Sequence, residues 1–243
     1  MSSEECKVSL EKGGGFDVSW ERIYSGSQHL SVWPWSDVVS FVNRYVPPSG
    51  GGRRVKVCEL GCGAGANIPL FEGRGDDYHG MEGSETMVKE LKKKFQAYSD
   101  KIVCGDFTSS IPFETEFDLI LDRASLTHND TESIERCLRV CCSKLTKNGV
   151  FLGIDWFSKR HSDAIGGRAV DEHTRTEIAS RQFRDIGNVH FSDKEHLVKM
   201  FARSGFDIRV LVHKETEMLI ADGEDMPRIC AFNFVAVKMV QSA

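Results

Sequence analysis

Two hydrophobic periods run along this 243-residue chain, and the places where one gives way to the other mark its elements. "VKVCELG" is a continuous apolar run, short enough for a strand buried on both faces. "DYHGMEG", "KIVCGDF", "FDLILDRAS" and "GVFLGIDWF" predict four more strands. Between them the apolar positions fall three and four apart. Met87, Val88, Leu91 and Phe95 share one helical face, and so do Ile134, Cys137, Leu138, Cys141 and Leu145. A helix is expected from Pro34 to Tyr45, stopped by Pro47 and Pro48, and a short one over "NIPLFEG". Asn129 with Glu132, and Ser192 with Glu195, have the spacing of capping boxes, and Gly205 closes the second of these helices.

Strands alternating with helices imply a parallel sheet covered on both faces. The tail breaks the rhythm: "FDIRVLVHKETEM" and "RICAFNFVAVKM" are strands with no helix between them, so they must pair antiparallel. The expected fold is therefore α/β, a Rossmann-like doubly wound seven-stranded sheet, mostly parallel with an antiparallel C-terminal strand. Residues 1–19 read as a flexible N-terminal segment, with "KGGG" as a break, and 20–243 as a single domain. One stretch, 158–191, is too long and irregular for a plain connection and is expected to be a lid or substrate loop.

The net charge of −5 argues against nucleic acid as a partner. No apolar stretch is long enough to span a membrane, and the polar, acidic first twenty residues are not those of a signal peptide. Eight cysteines without metal-ligand or disulfide spacing point to a reducing, cytoplasmic setting, with Cys137 and Cys141 as buried small hydrophobes and no metal.

Candidate chemistry centres on "VCELGCGAGANIP". Gly61, Gly63 and Ala66 fit a dinucleotide turn, and Glu82 follows where a ribose-binding acid belongs. A nicotinamide-dependent oxidoreductase is thus one alternative. Glu59, at the end of the preceding strand, opposes it, because a carboxylate there would repel a pyrophosphate. The third glycine also comes early, at Gly65. A phosphate-free ligand with a cationic end suits this turn better.

"ELGCGAG", together with the antiparallel terminal pair, resembles the class I S-adenosylmethionine-dependent methyltransferases, among them small stand-alone bacterial-type enzymes. The resemblance implies that Gly61, Cys62 and Gly63 meet the methionine moiety, with Glu59 beneath it. It implies that Glu82, followed by Gly83, takes the ribose hydroxyls, that Asp106 receives the adenine amino group, and that Phe107 packs on the ring. "LDRASLTH", beginning with Asp122 and Arg123, would run along the cofactor towards the acceptor. The acceptor is expected to be a small molecule such as a sugar or phosphorylated metabolite. The basic residues of 158–191, Arg181 among them, would suit an anionic one. A base is needed if that acceptor is a hydroxyl or protonated amine, and the candidates are His128, His190 and Asp122. Tyr24, Trp33 and Trp35 are candidates to cover the acceptor or the methionine end. A cofactor-binding protein with no catalysis of its own is the alternative from outside enzymology.

Overall fold

A computed structural model describes residues 19–25, 31–180, 182–219 and 227–239. The expected flexible segment therefore lies, apart from Ser19, outside the described residues, as does Arg181. The chain runs α1 (Ser19–Ser25), α2 (Ser36–Tyr45), β1 (Lys56–Leu60), α3 (Ile68–Gly73), β2 (Asp77–Glu82), α4 (Glu85–Lys94), β3 (Ile102–Cys104) and β4 (Phe117–Arg123). It continues through α5 (Thr131–Lys144), β5 (Leu145–Phe157), β6 (Arg168–Ala169), β7 (Thr174–Thr176), β8 (Val189–His190), α6 (Lys194–Arg203), β9 (Phe206–Glu217) and β10 (Arg228–Lys238).

Seven strands form one sheet in the order β3-β2-β1-β4-β5-β10-β9. The first five are parallel, and β10 runs antiparallel to both of its neighbours. Period-2 alternation divides the core into two faces. Val57, Leu119 and Leu121 meet Val38, Phe41, Ile68 and Leu91 from α2, α3 and α4. Cys58, Leu60 and Ile120 meet Ile134, Cys137, Leu138, Cys141, Leu197 and Phe201 from α5 and α6. Cys137 and Cys141 are fully buried there. The strand order reverses between β1 and β4, and a crevice opens at the carboxyl ends of those strands, where sheets of this kind bind ligands.

Two helix starts differ from the sequence reading by one residue. Asp130, not Asn129, caps α5 by accepting from the Ser133 amide at 2.8 Å, and Asp193, not Ser192, caps α6 through the His196 amide at 2.8 Å. In both places a carboxylate one residue on also favours the positive end of the helix dipole. No helix among the described residues is long and apolar enough to cross a membrane.

The segment 158–191 is more ordered than its polar sequence suggests. A short 3₁₀ turn (Ser162–Ile165) precedes β6, β7 and β8, which form a small antiparallel sheet of their own. Phe157, Ile178, Phe183, Ile186, Val189 and Phe191 bury a third apolar cluster against Ile23 and Ala124. Full burial of a side chain like Phe183 or Phe191 contributes about 2–3 kcal/mol. Asp171 ties the segment to α5, accepting from the Thr131 amide at 2.9 Å while also serving His173 and Thr174 of its own turn. Burial opposes ionisation of Asp171, but these donors outweigh it and hold its pKa down at about 2.

Candidate active site

The crevice at the switch point is a cavity of about 530 Å³, within the usual range for small-ligand sites. Its floor is the glycine turn after β1. Gly61, Gly63 and Gly65 all have positive φ. A Cβ on Gly61 would lie 2.2 Å from the Ser125 hydroxyl, and one on Gly65 would lie 2.7 Å from both Leu91 and Phe95. Only glycine lets the turn lie this close to its neighbours.

Two buried carboxylates flank that turn. Glu59, 3% exposed, accepts from the Asn67 amide at 2.7 Å and from the Tyr78 hydroxyl at 2.7 Å. Burial dominates over those two bonds and raises its pKa to about 7. Glu82, also 3% exposed, accepts from the Gly63 amide at 2.9 Å and from the Ser84 amide at 3.0 Å. Burial raises its pKa too, against the pull of those amides. The carboxylate thus links β2, the glycine turn and the start of α4, where Ser84 caps through the Met87 amide.

Glu59, Gly61, Cys62, Gly63, Glu82, Phe107, Arg123, His128, Tyr24 and Trp35 all line the cavity. Tyr24 reaches in from α1: a Cβ on Gly63 would sit 3.1 Å from its phenol oxygen. Burial, reinforced by the negative charge of Glu82, pushes the Tyr24 pKa up and keeps the phenol protonated. Arg123 stacks 3.7 Å from the Trp35 ring and pairs with Asp155 at 3.0 Å. His128 Nδ1 lies 3.2 Å from the Asn188 carbonyl oxygen. A carbonyl oxygen can only accept, so Nδ1 carries a proton in that contact.

Five expected site residues do not line it. Asp122 is fully buried on the α5 face beside Ile120, because strand alternation points it away from the crevice. Its Oδ1 accepts from the Leu126 amide at 2.9 Å, and burial lifts its pKa to about 7. Asp106 turns back on its own loop, accepting from Thr108 and Ser109 at 2.7–2.8 Å. Gly83 is buried behind Glu82, with its carbonyl towards the Cys104 thiol. Trp33 is 76% exposed, turned out where the chain bends ahead of α2. His190 is fully buried in a different place, between Thr174 at 3.0 Å and His196 at 3.1 Å.

A methyltransferase-domain family matches residues 58–153, from β1 into β5. This span holds the glycine turn, both buried glutamates, Phe107 and His128. The match makes residues 58–153 a methyltransferase domain. Solved structures agree on the fold. An S-adenosylmethionine-dependent methyltransferase from Clostridium acetobutylicum superposes with a TM-score of 0.58 at 13% identity, over 91% of this chain and 96% of the other. One from Methanosarcina mazei gives 0.65 at 14% identity, over 87% and 100%. The glycopeptide N-methyltransferase MtfA, complexed with S-adenosylmethionine, gives 0.57 at 18% identity, over 84% and 93%. No curated protein matches the chain.

Several residues lining the cavity were not anticipated: Asn67, Thr108, Asp155, Phe157, Phe183 and Ile186. Asp155 carries a signal that could have found it. It is an acidic residue near the carboxyl end of β5, two residues before the strand stops, as Glu82 is the acidic residue that ends β2. It also adopts φ 58°, and Ala124 just after β4 adopts φ 55°, so a left-handed residue stands at the cavity wall in each place. The Asp155 amide is held by Asn233 Oδ1 at 2.8 Å, at the bulge in β10.

Proposed function

We propose that the chain transfers a methyl group from S-adenosylmethionine to a small-molecule acceptor, using one half of the cavity for the cofactor and the other for the acceptor. The observation that carries this reading is the pair of buried carboxylates at the glycine turn, which disfavours a phosphate and suits a ligand with a sulfonium, an ammonium and a ribose diol. Each Glu82 oxygen spends one lone pair on a backbone amide and keeps another for a ribose hydroxyl. Phe107 offers its ring to adenine, and Thr108 stands beside it with its hydroxyl directed to Asp106. Gly61 and Gly63 present bare backbone to the methionine end, over Glu59 and Asn67.

Bound in this way, the cofactor supplies a methyl group already activated on sulfur. The protein's share is to orient the acceptor, exclude water and take a proton. In-line orientation alone is worth on the order of 7–11 kcal/mol. His128 is the base in this reading, because its ring lines the cavity. The described cysteines form no disulfide with one another, which fits a cytoplasmic enzyme.

Titration calorimetry with S-adenosylmethionine, its demethylated product and NAD tests the cofactor half. Binding of the first two in the micromolar range and negligible heat from NAD is the expected result. NAD binding more tightly than either would sink the proposal.

A further inference from the structure

The cavity wall formed by β4 and β5 holds a carboxylate that the cofactor reading leaves without a task. The sheet order β2-β1-β4-β5 sets Glu82 and Asp155 three strand spacings apart, about 14 Å across the crevice. Leu60, Asp122 and Gly153 stand level in the register, so Asp155 lies just beyond the level at which β1 gives way to the glycine turn, two strands to its side. A cofactor held at Glu82 and over the glycine turn leaves Asp155 to the acceptor half of the cavity, which it lines.

Asp155 is held there at a cost. Its φ of 58° is left-handed, a conformation that residues other than glycine adopt unfavourably. Its amide donates to Asn233 Oδ1 at 2.8 Å, and the buried Asn233 donates in turn to Asp37 at 3.0 Å, which pairs with Lys214. Its carboxylate takes both Nε and Nη2 of Arg123 at 3.0 Å, and both go to the same oxygen, Oδ2. The Trp35 ring, 3.7 Å from the guanidinium, fixes Arg123 from another side. No described residue donates to Oδ1. A charged oxygen held this firmly at a cavity wall, with its lone pairs unspent, is a ready hydrogen-bond acceptor for a ligand.

Resting on the cofactor reading above, we infer that Asp155 binds the methyl acceptor, its Oδ1 taking a hydrogen bond from a hydroxyl beside the atom to be methylated, so that the acceptor is a diol or polyol. Arg123 decides between a hydroxyl and an ammonium. Its guanidinium already balances the carboxylate, so an ammonium would meet a like charge close by, whereas a hydroxyl brings none. Arg123 is then a positioning residue: by occupying Oδ2 it fixes which oxygen Asp155 presents.

The test uses the full chain and ring compounds of matched size, in a cyclohexane and a benzene series: the 1,2-diol, the 2-methoxy alcohol, whose second hydroxyl is capped, and, in the saturated series, the 2-amino alcohol. Methylation is measured with labelled S-adenosylmethionine, and binding by calorimetry with the demethylated cofactor present. The diols should exceed the methoxy and amino compounds in kcat/KM by about tenfold to a hundredfold, the equivalent of one hydrogen bond to a charged group. Asp155→Asn keeps the shape of the side chain and tolerates left-handed backbone. Its amide oxygen stays with Arg123, so an NH₂ donor stands where Oδ1 stood. In this variant KM for the diols should rise about tenfold or more, and the preference should pass to the methoxy compounds, whose ether oxygen accepts. Affinity for the demethylated cofactor should stay within a few fold of the parent. Should the variant fail to fold, the parent's ranking of the probes decides. Equal use of diols and methoxy alcohols by the parent overturns the inference. So does a preference for the amino alcohol, a uniform loss across all probes in the variant, or silence of every probe while the cofactor binds. Failure of the cofactor itself to bind would instead remove the reading beneath it.

Discussion

Replacing Glu82 with alanine separates a ligand-binding role from an architectural one, and the geometry predicts both effects together. In the folded protein its carboxylate is the acceptor for two buried amides, those of Gly63 and Ser84. Alanine leaves both donors without that acceptor. A buried group stranded in this way costs about 1–3 kcal/mol, so two would cost roughly 2–6. Against this, the substitution removes a charge that burial already penalises, as the raised pKa of Glu82 records. The net expectation is a loss of about 2–4 kcal/mol in unfolding free energy without ligand. Cofactor affinity should fall by a further 1.5–3 kcal/mol or so, the range for hydrogen bonds to a charged group, which corresponds to about tenfold to a hundredfold in Kd. Glu82→Gln keeps one carbonyl acceptor but turns an NH₂ towards an amide donor. It should destabilise less than alanine and impair cofactor binding about as much. Urea unfolding of the ligand-free protein gives the first quantity and calorimetry the second. An alanine variant that unfolds within ~0.5 kcal/mol of the parent would mean that this carboxylate does not hold the turn.

Two further outcomes follow from the same coordinates. Gly61→Ala would bring a Cβ within 2.2 Å of the Ser125 hydroxyl at φ +62°, so thermal unfolding should show a loss of about 1–3 kcal/mol, and Ser125→Gly should recover part of it in the double variant. Simple additivity of the two changes would refute the clash. His190 is held neutral in the fold, its pKa lowered to about 3 by burial and then by His196, whereas in the unfolded chain it titrates near 6.5. The unfolded state therefore binds the extra proton between those values, and stability is full above about pH 6.5 and falls as pH drops towards 3, by up to about 1.4 kcal/mol per pH unit. His190→Gln should flatten the stability–pH curve in that window. An unchanged slope would show that the ring is not kept neutral.

Much of the fold was legible because parallel strands covered on both faces must be continuously apolar, while the helices between them must be striped. The tail was legible for a different reason: two strands without a crossover have only one way to pair. Within the site, residues whose backbone carries the function were easy to place, since Gly61 and Gly63 announce their turn. Carboxylates were harder. Glu59, Glu82, Asp106 and Asp122 all lie at or just beyond strand ends, and strand parity and loop turning decide which of them face the crevice. Asp122 is on the same face as Ile120 and is lost to the core, and Asp106 spends its oxygens on Thr108 and Ser109. A one-residue difference in a turn reverses such an outcome, and local spacing does not record it.

The segment 158–191 is the opposite case: its glycines and charges are local, but what fixes it is distant. Phe183, Ile186, Val189 and Phe191 are scattered without a helical or strand period, so they look like loop residues. They gain a common face only against Phe157, Ala124 and Ile23, which come from β5, the end of β4 and α1. A cluster of three histidines behaves similarly. His173 and His190 come from the segment and His196 from α6, with the His173 and His196 rings stacked at 3.4 Å. The segment is anchored by its phenylalanines and by the Asp171–Thr131 bond. Because Phe183 and Ile186 belong both to that anchor and to the cavity lining, substitutions there should change acceptor binding and stability together. Acceptor preference is in that case built into the packing of the segment, and it should shift when the anchor residues change size, even while the glycine turn and its two glutamates stay as they are.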